Sequence, residues 1–332
     1  MPWETVRTKL GFAHIAPGIF SLSFHYRISG LSVASELALP GAIRVADPLD
    51  SGAEVTVRRV REIAPVAAPQ ILGPNWAVDG DRFFLRVPRV ANFLITAGND
   101  IAMQVEQGIE ESDAVVFLLG TAFGVLLYQR GRIVLHASAV LVGGSAVLFC
   151  GKSGAGKSTM AAVLNERGYA HVTDDVCCVD FDGKGRPVVL SDGRMLKLWL
   201  DAVTEIDARA RKGAAVRSMI DKFYVEPASP LRVSAPPIAA IYALREQRAP
   251  LEAGIETPAP LDATQILRRG LYRARLMATM GLSATFLARV MEIQKQAGVH
   301  YLTRPFAMAA MPDTVSRLEA HWRSLGLIGT GG

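Results

Sequence analysis

Four residues at fixed spacing carry the first chemical signal in this 332-residue chain: Gly151, Gly156, Lys157 and Ser158, in the run GKSGAGKST. Glycines so spaced let a loop wrap with its N–H groups turned inward, and a helix starting directly after it adds the partial positive charge of its first turn. The pattern is that of a nucleotide phosphate loop, with Gly151, Ser153, Gly154, Ala155, Gly156, Lys157, Ser158 and Thr159 around the phosphates. Lys157 would reach the β- and γ-phosphates and the Ser158 hydroxyl would ligate Mg2+, so ATP and Mg2+ are the implied cofactors.

A second signal is the pair Asp174-Asp175 in TDDVCC. Mg2+ in such a site needs a carboxylate beside the hydroxyl, and transfer to an alcohol gains from a carboxylate that accepts its proton. Neighbours at a strand end can divide these tasks, because consecutive side chains point apart. The plainer reading of the pair is a solvated turn or an Asx cap. His136 is a third candidate, able to orient Asp174 or share its proton; a lone histidine in an apolar strand is otherwise a core residue. His171 in the next strand reads as core.

The flanking pattern supplies the elements that would position these groups. Arg132–Val142 reads as a strand, Gly143-Gly144 as a two-residue hairpin turn, and Ala146–Cys150 as the returning strand. If Val142 and Ser145 flank the turn, Ala137 faces Cys150 and His136 faces Gly151, beside the base of the loop. Ser158–Arg167 follows as a helix closed by Gly168, and Tyr169–Thr173 as a strand ending at the aspartates. Ligands of open α/β sheets gather at such strand ends. VCCVDF and RPVVL read as a hairpin, PPIAAIYAL as a buried strand, and the chain from Ala263 as helical, closing on PDTVSRLEAHWRSL.

Before this region the chain reads as β-rich. SLSFHYRI, EVTVRRV and RFFLRVP are short strands, and ANFLITAGNDIAMQV is two strands joined at Gly98-Asn99-Asp100. Ala114–Tyr128, the most apolar stretch, has 15 residues, short of the roughly 18 to 20 that span a bilayer, and is expected as a buried helix. The expected division is a β-rich unit over 1–112 and an α/β unit over 113–332.

Composition narrows the class. Half the residues are apolar, the formal charge is +5 and the isoelectric point is near 9.2. That suits an acidic ligand; no run of basic and aromatic residues forms a nucleic-acid groove. Three cysteines without a CxxC pair fit a reducing cytoplasm, and the opening MPWETVRTKLGF lacks the apolar centre of a secretory leader.

Taken in order, His136, GKSGAGKS, Arg167-Gly168 and Asp174-Asp175 resemble the kinase domain of the HPr kinase/phosphorylase family. The resemblance runs from about residue 110 to 332 and is tight between 132 and 180. It implies the α/β P-loop kinase fold shared with phosphoenolpyruvate carboxykinase, preceded here by the β-rich region. It implies that Lys157 contacts the phosphates, that Ser158 and Asp175 serve Mg2+, and that Asp174 is the catalytic base, supported by His136. The family's later Glu-x-x-Gly-Leu-Gly signature is absent; DGRMLKLWLDA stands there, with Arg194 and Lys197. LHASAV before the loop and a basic residue before LW make the chain more similar to shorter HPr-kinase-like serine kinases, some of which phosphorylate the terminal serine of lasso-peptide precursors. The family's hexamers make a homo-oligomer a further implication.

The expected activity is phosphoryl transfer from ATP to a serine of a peptide or small protein, away from membranes. A nucleotide-binding regulator with weak ATPase activity and a small-molecule kinase are the competing readings. Lys197 and Lys222 could face the phosphates, and Arg268, Arg269, Arg273 and Arg275 could dock an acidic peptide; surface positions are the plainer expectation for all six.

Overall fold

The computed structural model describes residues 24–45, 52–64, 66, 69–206, 211–217, 220–231 and 235–329. The opening segment and the first three residues of SLSFHYRI lie outside them. The architecture is mixed α/β. The first half forms one sheet of eight strands, ordered Phe24–Ile28, Leu31–Ser35, Val55–Arg59, Asp100–Val105, Ala91–Thr96, Arg82–Val87, Trp76–Asp79 and Ile71–Leu72. Its strands alternate as a one-sided sheet should: Ala91, Phe93 and Ile95 are buried, while Asn92, Leu94 and Thr96 are partly exposed. The two strands expected in ANFLITAGNDIAMQV pair antiparallel.

The apolar stretch is helical from Glu111 to Gln129, with a π-helical segment at Leu118–Ala122. At 19 residues it is longer than expected, because polar residues at both ends extend the turn pattern. By length and apolarity it could cross a membrane, yet 72% of its apolar window is buried inside the protein.

A six-stranded sheet follows, ordered His171–Thr173, Ala137–Val142, Ser145–Cys150, Ile238–Glu246, Gly298–Arg304 and Gly254–Glu256. Its three inner strands, from Ser145–Cys150 to Gly298–Arg304, run parallel. They are apolar along their length because both faces are covered. On one face Ala146, Leu148 and Cys150 join a core that includes the 111–129 helix and the eight-stranded sheet. On the other, Val147 and Phe149 pack with the Lys157–Glu166 and Met311–Ser324 helices.

The hairpin register is as expected: Ala137 pairs with Cys150 and Val142 with Ser145. Gly143 and Gly144 both take positive φ, 55° and 82°, which a two-residue turn of this twist requires. The single strand expected over Arg132–Val142 is instead two. Ile133–Leu135 pairs with Cys177–Phe181 in a separate three-stranded sheet, and the main strand resumes at Ala137. His136 is the break, and its N–H donates to Gly270 O at 2.7 Å. A further sheet of Leu196–Trp199, Ile220–Val225 and Lys212–Arg217 stands beside the loop.

Candidate active site

The glycine-rich loop leaves the C-terminal end of the central parallel strand and enters the Lys157–Glu166 helix. Gly154 and Gly156 take φ values of 84° and 83°. At Gly156 a Cβ would also lie 2.3 Å from Arg304 Nη2, so the guanidinium would have to shift. Arg304 is buried at the end of its strand and donates to Ala155 O at 3.2 Å, bracing the loop from behind. Lys157 folds back over the loop, its Nζ donating to Gly151 O and Lys152 O, each at 3.0 Å. Burial lowers its pKa, against the opposing pull of Asp174 and Asp175.

The two aspartates turn away from each other. Asp174 continues the strand alternation into the protein and is 1% exposed. Its Oδ1 accepts from Ser138 Oγ at 2.5 Å and from Ser158 Oγ at 2.8 Å, and its Oδ2 from the Lys197 N–H at 3.1 Å. Asp175 adopts a left-handed φ of 69°, and its side chain meets a different set of partners. There His136 Nδ1 lies 3.1 Å from its Oδ1 and Lys197 Nζ 2.7 Å from its Oδ2. Burial alone would raise the Asp175 pKa; Lys197 and His136 outweigh it and hold the carboxyl well below the usual range. Lys197 is raised in turn, burial being overcome by Asp175.

These contacts correct two expectations. Ser158 meets Asp174, where Asp175 was expected, and His136 meets Asp175, where Asp174 was expected. His136 also has no ladder partner in Gly151, because the hairpin ladder ends at Ala137. His171 is buried as expected; burial lowers its pKa against the opposing pull of Asp174 and Asp192.

A buried pair fixes the corner. Asp192 Oδ2 accepts from Thr173 Oγ1 at 3.2 Å and from Arg194 Nη1 at 2.5 Å, and Arg194 Nη1 donates to Val176 O at 3.1 Å. Thr173 and Val176 are the residues on either side of Asp174-Asp175. Asp192 Oδ1 accepts from the Ser29 N–H at 3.2 Å, tying the corner to the eight-stranded sheet. Arg194 was noted from sequence only as a departure from a family signature, and Asp192 and Arg304 were missed. Apart from the Asp192–Arg194 pair itself, the partners that tie them to the site lie more than 15 residues away in sequence, where local pattern carries no signal.

Two cavities open on this arrangement. The smaller, about 150 Å3, is lined by Ser153, Gly154, Gly156–Thr159, Asp174, Trp199 and Lys222. The larger, about 910 Å3, lies over the other end of the loop, Gly151–Ser153, and reaches Phe117, Arg269 and Tyr272. Both include Ser153, His136, Asp175 and Lys197. Cys150 at the wall of the larger cavity has its thiol pushed up to about 12 by burial, so it is no nucleophile at neutral pH.

No protein-family model matches the chain. A curated HPr kinase/phosphorylase from Chlorobaculum tepidum is 34% identical over 102 residues, 30% of this chain and 28% of that protein. Over that stretch the chain is similar to an HPr kinase/phosphorylase. The match spans little more than a quarter of the relative's length. A structure of the Hpr(Ser) kinase/phosphatase from Coxiella burnetii covers 58% of this chain and 92% of its own at 14% identity, with a TM-score of 0.31, too low to bear on the fold.

Proposed function

We propose that this protein is an ATP- and Mg2+-dependent kinase that transfers the γ-phosphoryl group to a serine hydroxyl of a peptide or small protein, with residues 113–332 as its P-loop kinase unit. The observation that carries the reading is the meeting of two cavities at His136, Asp175 and Lys197, one of them lined by the loop and by the Ser158–Asp174 pair. ATP phosphates fit the smaller cavity, where the loop N–H groups, Lys157 and the helix start supply positive potential. The hard oxygens of Ser158 and Asp174 suit Mg2+, which takes only one or two carboxylates from a protein and completes its shell with phosphate and water. Among the described residues no cluster of three or more acidic, histidine or cysteine side chains forms a full metal cage. Bound there, Mg2+ would neutralise charge on the phosphates.

The acceptor then approaches from the larger cavity. Its serine oxygen forms a bond to the γ-phosphorus as the bond to the β–γ bridging oxygen breaks, and ADP leaves. Asp175 accepts the hydroxyl proton and releases it to solvent. Its lowered pKa is no obstacle, since phosphoryl transfer depends chiefly on positioning and charge, with the proton leaving late. His136 and Lys197 hold the carboxylate in place, and Lys197 also offsets charge on the transferring group. The departure from the family signature thus supplies a lysine to the proposed centre. The C-terminal serine of a lasso-peptide precursor is one candidate acceptor.

The test is transfer of label from γ-labelled ATP to serine peptides by the purified protein, including any precursor peptide encoded beside its gene. Transfer that requires Mg2+ and is lost in Lys157→Ala is expected. ATP hydrolysis without transfer to any serine peptide would favour the regulator reading, and no binding of ATP would overturn both.

A further inference from the structure

The larger cavity carries a charge bias that the transfer chemistry leaves unused. Five cationic side chains line it, against Asp175 as the one carboxylate. Two of the five are already engaged: Lys197 with Asp175 at 2.7 Å, and Arg245 with Glu256 at 2.8 Å. Lys152, Arg269 and Arg273 have no carboxylate partner among the described residues. They arrive from separate places: the glycine-rich loop, the last turn of the Pro260–Gly270 helix, and the residue preceding the Ala274–Thr279 helix. Of the arginine cluster noted in the sequence, only these two arginines reach the cavity; Arg268 and Arg275 are exposed elsewhere.

Arg273 also holds a left-handed φ of 48°. Asp175 does the same across the cavity, and such backbone strain in non-glycine residues collects at ligand sites. Between the cations the wall is apolar, built from Phe117, Ile266 and Leu271. Unpaired cations in a concave wall focus positive potential, and guanidinium groups match carboxylates in shape. At about 910 Å3 the cavity lies at the upper end of the roughly 300–1,000 Å3 of small-ligand sites, which suits a short extended segment better than a folded face.

We propose that this cavity selects an acceptor whose serine stands beside a carboxylate and an apolar residue, with Arg269 and Arg273 as the specificity-determining side chains. The proposal rests on the kinase reading for its acceptor. The carboxylate could belong to an acidic side chain or to the end of a chain, and the same experiment separates the two.

The probes are a fluorescent pentapeptide Asp-Leu-Ser-Leu-Asp, its Asn-for-Asp counterpart, and versions of both with amidated C-termini. Binding is measured at low and high salt, with ATP affinity determined on the same protein. The wild type is expected to bind the free-ended acidic peptide about five- to tenfold more tightly than the amidated Asn peptide, which has no carboxylate, with the preference shrinking at high salt. Retention of the preference by the free-ended Asn peptide assigns it to the chain end; its retention by the amidated Asp peptide assigns it to the side chains. The double variant Arg269→Ala/Arg273→Gly is expected to lose the preference while keeping its ATP affinity. The glycine relieves the left-handed backbone, and Arg269→Glu, which should reverse the preference, provides a second variant that leaves residue 273 intact. Equal binding of the acidic peptide and the amidated Asn peptide by the wild type, or an undiminished preference in the double variant, would overturn the proposal. Preserved ATP binding and transfer beside that result leaves the kinase reading standing, whereas peptide preference without ATP binding overturns that reading.

Discussion

Asp174 and Asp175 are neighbours in sequence and opposites in setting. Asp174 is sealed in the protein and receives two hydroxyls and a backbone N–H. Asp175 keeps about a quarter of its side chain exposed and faces a lysine and a histidine where the two cavities meet. The first setting suits a fixed ligand that need not move; the second suits a group that must meet a substrate. Asp175 also holds a left-handed φ of 69°.

Substitutions can break this contrast. The largest effect is expected from Asp175→Asn, a loss of about 10²–10⁴ in kcat with ATP affinity nearly unchanged, read by labelled-phosphate transfer and by calorimetry. Asp174→Asn should do the reverse in part, weakening Mg2+-dependent ATP binding and raising the Mg2+ concentration needed for half-maximal rate. If Asp174→Asn spared metal dependence while Asp175→Asn abolished it, the two roles would have to be exchanged again.

Lys197→Met removes the main partner of Asp175. With burial then unopposed by that charge, the carboxyl pKa rises, and the acid limb of the pH–rate profile is expected to move to higher pH. Stability follows the same sign. A carboxyl lowered in the folded state contributes stability that is fully present above its unfolded value of about 4 and is lost as pH falls through its folded value. Melting temperatures of wild type and Asp175→Asn should therefore differ by a constant amount above about pH 5, corresponding to about 1–3 kcal/mol, and converge below it. The smallest effect is expected from Trp199→Ala. This half-exposed ring at the smaller cavity should alter ATP affinity by only a few-fold, measurable by nucleotide titration.

Much of this was legible in the sequence, for local reasons. A two-residue glycine turn between two apolar strands leaves one register, so Ala137 against Cys150 could be counted out. The loop, its helix and the aspartates at a strand end followed from spacing alone. The break at His136 was hidden because no proline or glycine marks it; it arises from pairing with two different sheets. The partners of the aspartates were hidden because Ser138, His136 and Lys197 come from elements more than 20 residues away in sequence. Arg304 comes from the strand Gly298–Arg304 and Lys197 from Leu196–Trp199, neither of which the sequence pattern had marked as strands.

The core shared between the eight-stranded sheet and the rest has a practical consequence. A chain cut at residue 112 would keep every residue of the proposed catalytic centre, yet strip the cover from the helix that begins at Glu111. What the intact protein stores as interior would become a long oily stretch at a new N-terminus, the kind of segment that cellular sorting and quality-control machinery reads as a membrane anchor or as damage. The eight-stranded sheet thus keeps the molecule's most membrane-like sequence out of sight.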